Sequence, residues 1–363
     1  MIRTIALCCF LLPLAPAADF ETGAVRRSDA QYYRNAIPQI ARLGDGRLFA
    51  VWQVAGKTDN RSRVVGATSS DGARTWANPR ILIQDAEKAD GDPNILVDGN
   101  KVWVYSTRVT VPNRIAKAWT MVTRSEDNGE TWSAPVEVFI PRQYTPGKQH
   151  NAIRLDDGTY AMGISWDLWA EKGLAARTEG EMELASGLLR STDGMRWTLN
   201  GDIHAWTRKV TPGSTNGLCE PSIVQLRDGE ILMILRSGSS RHYEARSRDG
   251  GITWSRPQPS ALVGHNTPTA LWRLEQHPQE IVAVWNHSPS NRYPLSAALS
   301  ADGGKTWSRP RILANPIGYQ VSYPGLTQTA DGTLVTVWQQ QLPDGGRDVR
   351  WARFTRDWLL GEH

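Results

Sequence analysis

Cysteine is scarce in this sequence. Its 363 residues contain three cysteines, and two of them, Cys8 and Cys9, lie in an apolar segment at the N-terminus. If that segment is removed, Cys219 is alone and no internal disulfide can form. The sequence also lacks Cys-x-x-Cys and His-Glu-x-x-His motifs, so it gives no support to a zinc site. We therefore expect no bound metal.

An excess of charge of one sign is also lacking. The chain has 41 lysines and arginines and 37 aspartates and glutamates, which gives a formal net charge of +4. A balance so close to zero does not indicate nucleic-acid binding in a chain of this length.

Long apolar runs are absent apart from one at the N-terminus. Residues Met1 to Ala18 combine Arg3, an apolar stretch from Ile5 to Leu14 and the small residues Ala15-Pro16-Ala17. This pattern is typical of a secretory signal peptide and is too short for a membrane span. We expect residues 1–18 to be cleaved, which predicts a secreted or periplasmic protein with a single domain over residues 19–363.

What the sequence does contain is a repeated unit, seen most clearly from Asn216 to Pro257. Two apolar strands are joined by a turn at Asp228-Gly229, a third strand follows, and the unit closes with an octet from Ser247 to Trp254. The octet follows the pattern Ser-x-Asp-x-Gly-x-Thr-Trp. Four short antiparallel strands in about forty residues match the size of one propeller blade.

The unit recurs along the chain. The closing octet returns, complete or altered, at Ser69–Trp76, Ser125–Trp132, Ser191–Trp197 and Ser300–Trp307. Six strand pairs open the units, beginning at Ile37, Asp92, His150, Glu220, Thr267 and Tyr323. The pattern predicts an all-β fold, a six-bladed β-propeller of four-stranded antiparallel blades. The last unit has no octet, so we expect the N-terminal segment near Phe20 to Arg26 to complete it.

Charged and phenolic residues are predicted to meet at one end of the propeller. The first strand of each blade lines the central channel, whose entrance commonly carries the ligand. Glu220 and Tyr323 open two such strands, and Arg34, Arg236 and Arg292 fall at the same end of their blades, opposite the octets. Because an arginine fork binds carboxylates in a bidentate manner, this arrangement predicts a site for an acidic ligand.

The octets resemble the Asp boxes of sialidases and related bacterial-neuraminidase-repeat proteins. The resemblance implies that Tyr323, in VSYPGL, is a nucleophile, that Glu220, in CEPSIVQLRDG, is its base, and that Asp59 is the acid/base. It further implies that three arginines hold the substrate carboxylate, namely Arg34, Arg236 and Arg292. A neutral phenol suits this chemistry because a carboxylate on the anomeric carbon would repel an anionic nucleophile.

The resemblance therefore implies an exo-glycoside hydrolase that releases a terminal acidic sugar, sialic acid first, with retention. No step requires a metal or an organic cofactor, and the expected partner is an acidic glycan or sialoglycoconjugate acted on by a monomer. Two alternatives stay open. One is another acidic-sugar glycosidase or uronate lyase, for which His150 is a candidate base. The other is a glycan-binding propeller without catalysis, which would not need Tyr323 matched with Glu220.

Overall fold

The described part of the chain is almost entirely β-strand. The computed structural model describes residues 19–59, 61–110, 118–141, 150–167, 184–204 and 217–361, so the predicted signal peptide lies outside the described residues. Of the helices found among those residues, none is both long and apolar enough to cross a membrane.

The described residues form 24 strands and one short helix. In chain order these are β1 (Phe20–Arg26), β2 (Arg34–Arg42), β3 (Leu48–Ala55), β4 (Arg63–Ser69), β5 (Arg80–Ile83), β6 (Ala89–Asp98), β7 (Lys101–Val109), β8 (Ala118–Ser125), β9 (Val136–Val138), β10 (Ile153–Arg154), β11 (Tyr160–Asp167), β12 (Leu184–Ser191), β13 (Thr198–Asp202), β14 (Cys219–Gln225), β15 (Ile231–Arg236), β16 (Arg241–Ser247), β17 (Gln258–Val263), β18 (Ala270–Arg273), β19 (Ile281–Asn286), β20 (Leu295–Ser300), β21 (Arg311–Ala314), β22 (Val321–Gln328), β23 (Leu334–Gln341), β24 (Arg347–Phe354) and α1 (Arg356–Leu360).

Sixteen of these strands form four separate blades. Each blade has four consecutive strands, paired in chain order as β6–β9, β10–β13, β14–β17 and β18–β21. Neighbouring strands within each blade are antiparallel. This pairing confirms the predicted all-β propeller, because each blade is one supersecondary unit that packs on its neighbours.

The prediction of six separate blades differs from the structure, because the other eight strands form a single sheet. Its order is β22-β23-β24-β2-β3-β4-β5, with β1 also paired to β24. The N-terminal segment pairs with β24 from Phe20 to Arg26, as expected. The chain then returns to the same edge of β24, where Arg34 of β2 forms one parallel pair with Arg347. This single pair joins what would otherwise be two sheets.

The core lies between the sheets. The second strands β3, β11, β19 and β23 each bury one tryptophan that is at most 1% exposed: Trp52, Trp166, Trp285 and Trp338. These strands are apolar along most of their length because both of their faces pack against protein. Burying such large rings against neighbouring sheets supplies much of the apolar stabilisation that holds the propeller together.

The closing octets fold as hydrogen-bonded turns. Asp249 accepts from Ser247 Oγ at 2.8 Å and from the Thr253 N–H at 2.9 Å, while Trp254 Nε1 donates to Gly251 O at 3.0 Å. The bond from the Thr253 side chain and the other donors lower the pKa of Asp249 to about 2. The same bonds form around Asp71, Asp127 and Asp302. The stabilisation from a carboxylate of lowered pKa is present above its unfolded pKa of about 4 and is lost as the pH falls through about 2.

Replacing Asp302 by Ala is expected to destabilise the protein. The unfolding temperature should fall by about 2–4 °C for each kcal/mol by which the free energy of unfolding decreases. The change removes the acceptor used by Ser300 Oγ and by the N–H and hydroxyl of Thr306. A typical hydrogen bond of this kind contributes about 0.5–1.5 kcal/mol. Calorimetry would measure the effect, with Glu137→Ala on the exposed edge of β9 as the control. An unfolding temperature equal to that of the control would contradict a stabilising role for the turn.

Candidate functional site

The innermost strands, which line the central channel, are β2, β6, β10, β14, β18 and β22. Five residues near the start of these strands have a left-handed backbone. They are Ile37, Asp92, Glu220, Asn266 and Tyr323, with φ between 44° and 58°. The strand pairing shifts register at four of them, which marks β-bulges. Each left-handed non-glycine residue costs of order 1–3 kcal/mol and persists only where the surrounding fold imposes it. A bulge re-aims the side chain it carries, and such features are common beside active sites.

Glu220 and Arg236 form a buried ion pair. Arg236 Nη1 lies 2.7 Å from Glu220 Oε1, and the two residues are 4% and 3% exposed. The pairing of β14 with β15 sets Arg236 opposite Cys219, next to Glu220. Although burial opposes the charged guanidinium, the negative charges of Glu220 and Tyr323 raise the pKa of Arg236 well above its ordinary value.

Asn266 connects this pair to Arg292. The Asn266 side-chain oxygen accepts from Arg236 Nε at 2.8 Å, and its backbone carbonyl accepts from Arg292 Nη2 at 2.8 Å. Asn266 was not among the residues predicted from the sequence, which placed Thr267 at the opening of this blade. The available signal was that asparagine, placed just before Thr267-Pro268, tolerates a left-handed backbone better than most residues.

Arg292 also contacts the phenol of Tyr323. Arg292 Nη1 lies 3.2 Å from the Tyr323 hydroxyl, and its guanidinium carbon lies 5.5 Å from the ring centroid. Tyr323 is 7% exposed and packs against Ala36 and Ile37. Four of the six predicted site residues are therefore connected through direct contacts and Asn266: Glu220, Arg236, Arg292 and Tyr323.

Arg34 lies beside this group. It begins β2, pairs with Arg347 across the sheet, and lies 6.0 Å from the ring centroid of Tyr33. The positive charges of Arg34 and Arg292 both act on Arg347, as does Tyr323. The end of β2 that carries Arg34 is thus close to Tyr323, and Arg347 is a second residue that sequence analysis did not single out.

Asp59 is bound to a different partner. It lies in the loop between β3 and β4, where its Oδ1 accepts from the Arg61 N–H at 2.9 Å and from Arg61 Nε at 3.1 Å. The backbone and side-chain hydrogen bonds from Arg61 lower the pKa of Asp59. A general acid needs a pKa near the working pH, so this arrangement does not by itself prepare Asp59 to donate a proton. Its acid/base role stays a prediction.

A cavity of about 570 Å³ lies farther along the innermost strands than the Tyr323 group. Each of these strands contributes to its lining, for example Gln39, Ile95, Ile153, Ser222, Trp272 and Leu326. His150, the alternative base, is buried and also lines it. The described lining contains none of Glu220, Arg236, Arg292 and Tyr323, so the cavity marks the central channel rather than the arginine group. No described cluster of His, Cys, Asp or Glu side chains could hold a metal ion.

Comparison with known proteins assigns the family. Residues 46–336 match the BNR repeat-like domain family, which is most of the chain. The chain belongs to this family. It is 24% identical to a sialidase of Bacteroides fragilis, over 84% of this chain and 60% of that protein. The chain spans only about half to three fifths of the length of the first curated relatives that it matches.

Solved structures agree on the fold of the BNR repeat-like domain. A Dyadobacter fermentans protein of unknown function superposes with a TM-score of 0.72 at 17% identity, covering 93% of this chain and 99% of that one. A Hadza microbial sialidase superposes with a TM-score of 0.73 at 17% identity, covering 93% of this chain and 68% of that one. At such identities the similarity establishes the fold and leaves the activity to be argued from the site.

Replacing Glu220 by Gln is expected to lower the free energy of unfolding by about 3–5 kcal/mol, because it leaves Arg236 buried without its counter-charge. Adding Arg236→Met should recover much of this loss, since the double variant removes both buried charges. Denaturant unfolding measures both values. The control is Glu244→Gln, which breaks a half-buried pair with Arg246. Losses that simply add in the double variant would show that the two charges are not coupled.

Proposed function

We propose that this protein is a secreted exo-glycoside hydrolase of the sialidase type, which releases a terminal acidic sugar with retention. Sialic acid is the first candidate. The observation that carries the proposal is the contact of Arg292 with the Tyr323 hydroxyl, in a group that also contains the buried Glu220–Arg236 pair. The relatives named as sialidases support it, although their identity to this chain is low.

In this proposal Tyr323 attacks the anomeric carbon and forms the glycosyl-enzyme intermediate. An ordinary tyrosine titrates near pH 10, so its attack at neutral pH needs a base. We assign that role to Glu220 through Oε2, because Oε1 is bound to Arg236. Three arginines hold the sugar carboxylate, namely Arg34, Arg236 and Arg292. Glu220 and Asn266 each accept a hydrogen bond from one nitrogen of Arg236.

Asp59 is assigned to protonate the leaving oxygen and later to activate water. For that it must leave Arg61, because the hydrogen bonds from Arg61 hold the pKa of Asp59 below its ordinary value. We infer that the substrate or its leaving group displaces Arg61 when it binds.

We also infer that the eight-stranded sheet contains two blades. Strands β22–β24 with β1 make one group of four, and β2–β5 make the other, which brings the ring to six. The turns around Asp71, Asp127, Asp249 and Asp302 would then be Asp boxes in the family's sense. Residues 1–18 are proposed to be a cleaved signal peptide, which makes the protein secreted or periplasmic, and we propose that it acts as a monomer.

The binding of Asp59 to Arg61 favours a second candidate function. A uronate lyase, or a glycosidase for another acidic sugar that protonates the leaving oxygen from a different residue, would use the same arginines without requiring Asp59 as the acid. Comparing a fluorogenic sialoside with a fluorogenic glucuronide and an unsaturation assay on a uronate polymer distinguishes these enzymes. Binding of an acidic glycan without turnover of any substrate would instead indicate a carbohydrate-binding propeller.

Replacing Tyr323 by Phe is expected to lower kcat on the preferred substrate by about 10³-fold or more, with substrate binding nearly unchanged, because the nucleophilic oxygen is lost. Tyr160→Phe is the matched control. It removes a phenol that donates to Asp98 in another blade, so it reports the structural cost of losing such a bond. Turnover by Tyr323→Phe at the rate of the control would refute the nucleophile assignment.

Replacing Arg292 by Lys is expected to raise KM about tenfold or more, since lysine keeps the charge but loses the fork that binds a carboxylate. Steady-state kinetics on the substrate identified above would measure this change. Arg273→Lys serves as the control, because Arg273 pairs with Asp156 at the other end of the innermost strands. A KM unchanged from that of the control would exclude Arg292 from substrate capture.

A further inference from the structure

Arg347 lies at the same end of the propeller as the proposed site. It begins β24 and forms the one parallel pair that joins β24 to β2, opposite Arg34. Two hydrogen bonds fix its backbone there. The Arg347 N–H donates to Tyr33 O at 2.9 Å, and Asn35 Nδ2 donates to Arg347 O at 2.9 Å. The position of Arg347 beside Arg34 is therefore set by the closure of the sheet.

The Arg347 guanidinium has two other arginines among its neighbours. Burial lowers the pKa of the Arg347 guanidinium, and although Tyr323 acts in the opposite direction, the positive charges of Arg34 and Arg292 lower it further. Arg34, Arg292 and Tyr323 thus all act on the Arg347 guanidinium.

Neither Arg347 nor Arg292 forms a salt bridge within the described part of the chain. Among the described residues, no carboxylate lies within 4.0 Å of either guanidinium, whereas Arg236 has Glu220. The adjacent carboxylate, Asp348, is used elsewhere: it accepts from the Ser28 N–H at 2.7 Å and lies 3.7 Å from Arg350. Like charges brought together with no internal counter-charge raise the energy of the empty protein, and a bound anion relieves that repulsion.

We infer that Arg347 is a further substrate-binding residue, which together with Arg34 and Arg292 binds the carboxylate of the substrate. The inference rests on the proposed function for the identity of that substrate. Arg236 remains held by Glu220 and Asn266, whereas Arg292 and Arg347 pair with no carboxylate of the described chain.

The test compares Arg347→Gln and Arg347→Lys with wild type and with Arg350→Gln. Arg350→Gln makes the same change three residues along β24, at an arginine that pairs with Asp348. Calorimetric titration with N-acetylneuraminic acid and with its methyl ester separates binding of the carboxylate from binding of the rest of the sugar. Thermal unfolding in sodium sulfate and in sodium chloride of equal ionic strength reports anion binding without any sugar.

Arg347→Gln should weaken binding of the free acid roughly tenfold or more, as expected for loss of a charge-assisted hydrogen bond. Binding of the methyl ester should change little, and Arg347→Lys should retain part of the affinity for the acid. Arg350→Gln should bind both compounds as wild type does. Unchanged affinity of Arg347→Gln for the acid would overturn the inference, even if sialosides are hydrolysed.

The sulfate measurement distinguishes failure of the proposed function from failure of the inference on Arg347. If wild type binds no acidic sugar, the proposed function fails. In that case the role of Arg347 is judged from the salts alone. It stands if sulfate raises the unfolding temperature of wild type and of Arg350→Gln more than chloride does. It also requires that the two salts act equally on the unfolding temperature of Arg347→Gln. A difference that persists in Arg347→Gln would rule out Arg347 as an anion-binding residue.

Discussion

The arrangement of the site depends on a strained backbone at the start of the innermost strands. Glu220 and Tyr323 have φ values of 44° and 58°, and each is followed directly by a proline. Proline restricts the residue before it, and a left-handed non-glycine residue is unfavourable, so neither conformation would persist in an isolated strand. The register shifts at these positions show that the pairing with the second strands imposes them. Packing of the blades therefore supplies the energy that holds two ionisable groups in place.

The arginines at this end of the molecule fall into two groups. Arg236 is neutralised by Glu220 and buried, so it belongs to the structure as much as to the site. Arg292 is held by the Asn266 carbonyl and the Tyr323 hydroxyl and pairs with no carboxylate of the described chain. The first kind of arginine is costly to remove because its partner charge stays behind. The second kind is available to a ligand, because its hydrogen bonds orient it without cancelling its charge.

Much of the fold and of the candidate site could be predicted from the sequence because each repeat marks where its own strands begin and end. The octets and the turns at Asp-Gly locate the ends of each strand, and a residue that opens an innermost strand must then lie at the channel entrance, as reasoned for Glu220 and Tyr323. Asn266 was missed because its blade places the left-handed residue one position earlier than the others, two residues before Pro268 rather than one. Arg347 was missed for a different reason. Its position depends on the pair with Arg34, about three hundred residues earlier, which no local pattern records.

The same closure explains why the number of separate sheets was predicted wrongly. Strand β1 uses one edge of β24 as far as Val349, and β2 takes up that edge again at Arg347. One hydrogen-bonded pair is enough to merge two groups of strands into one sheet. That pair also brings Arg34 to Arg347, beside Tyr323. The pair that joins β24 to β2 is thus the place where Arg34 and Arg347 come together, with Arg292 nearby. Because β2 and β24 are far apart in the sequence, Arg34 and Arg347 come together only when the sheet closes.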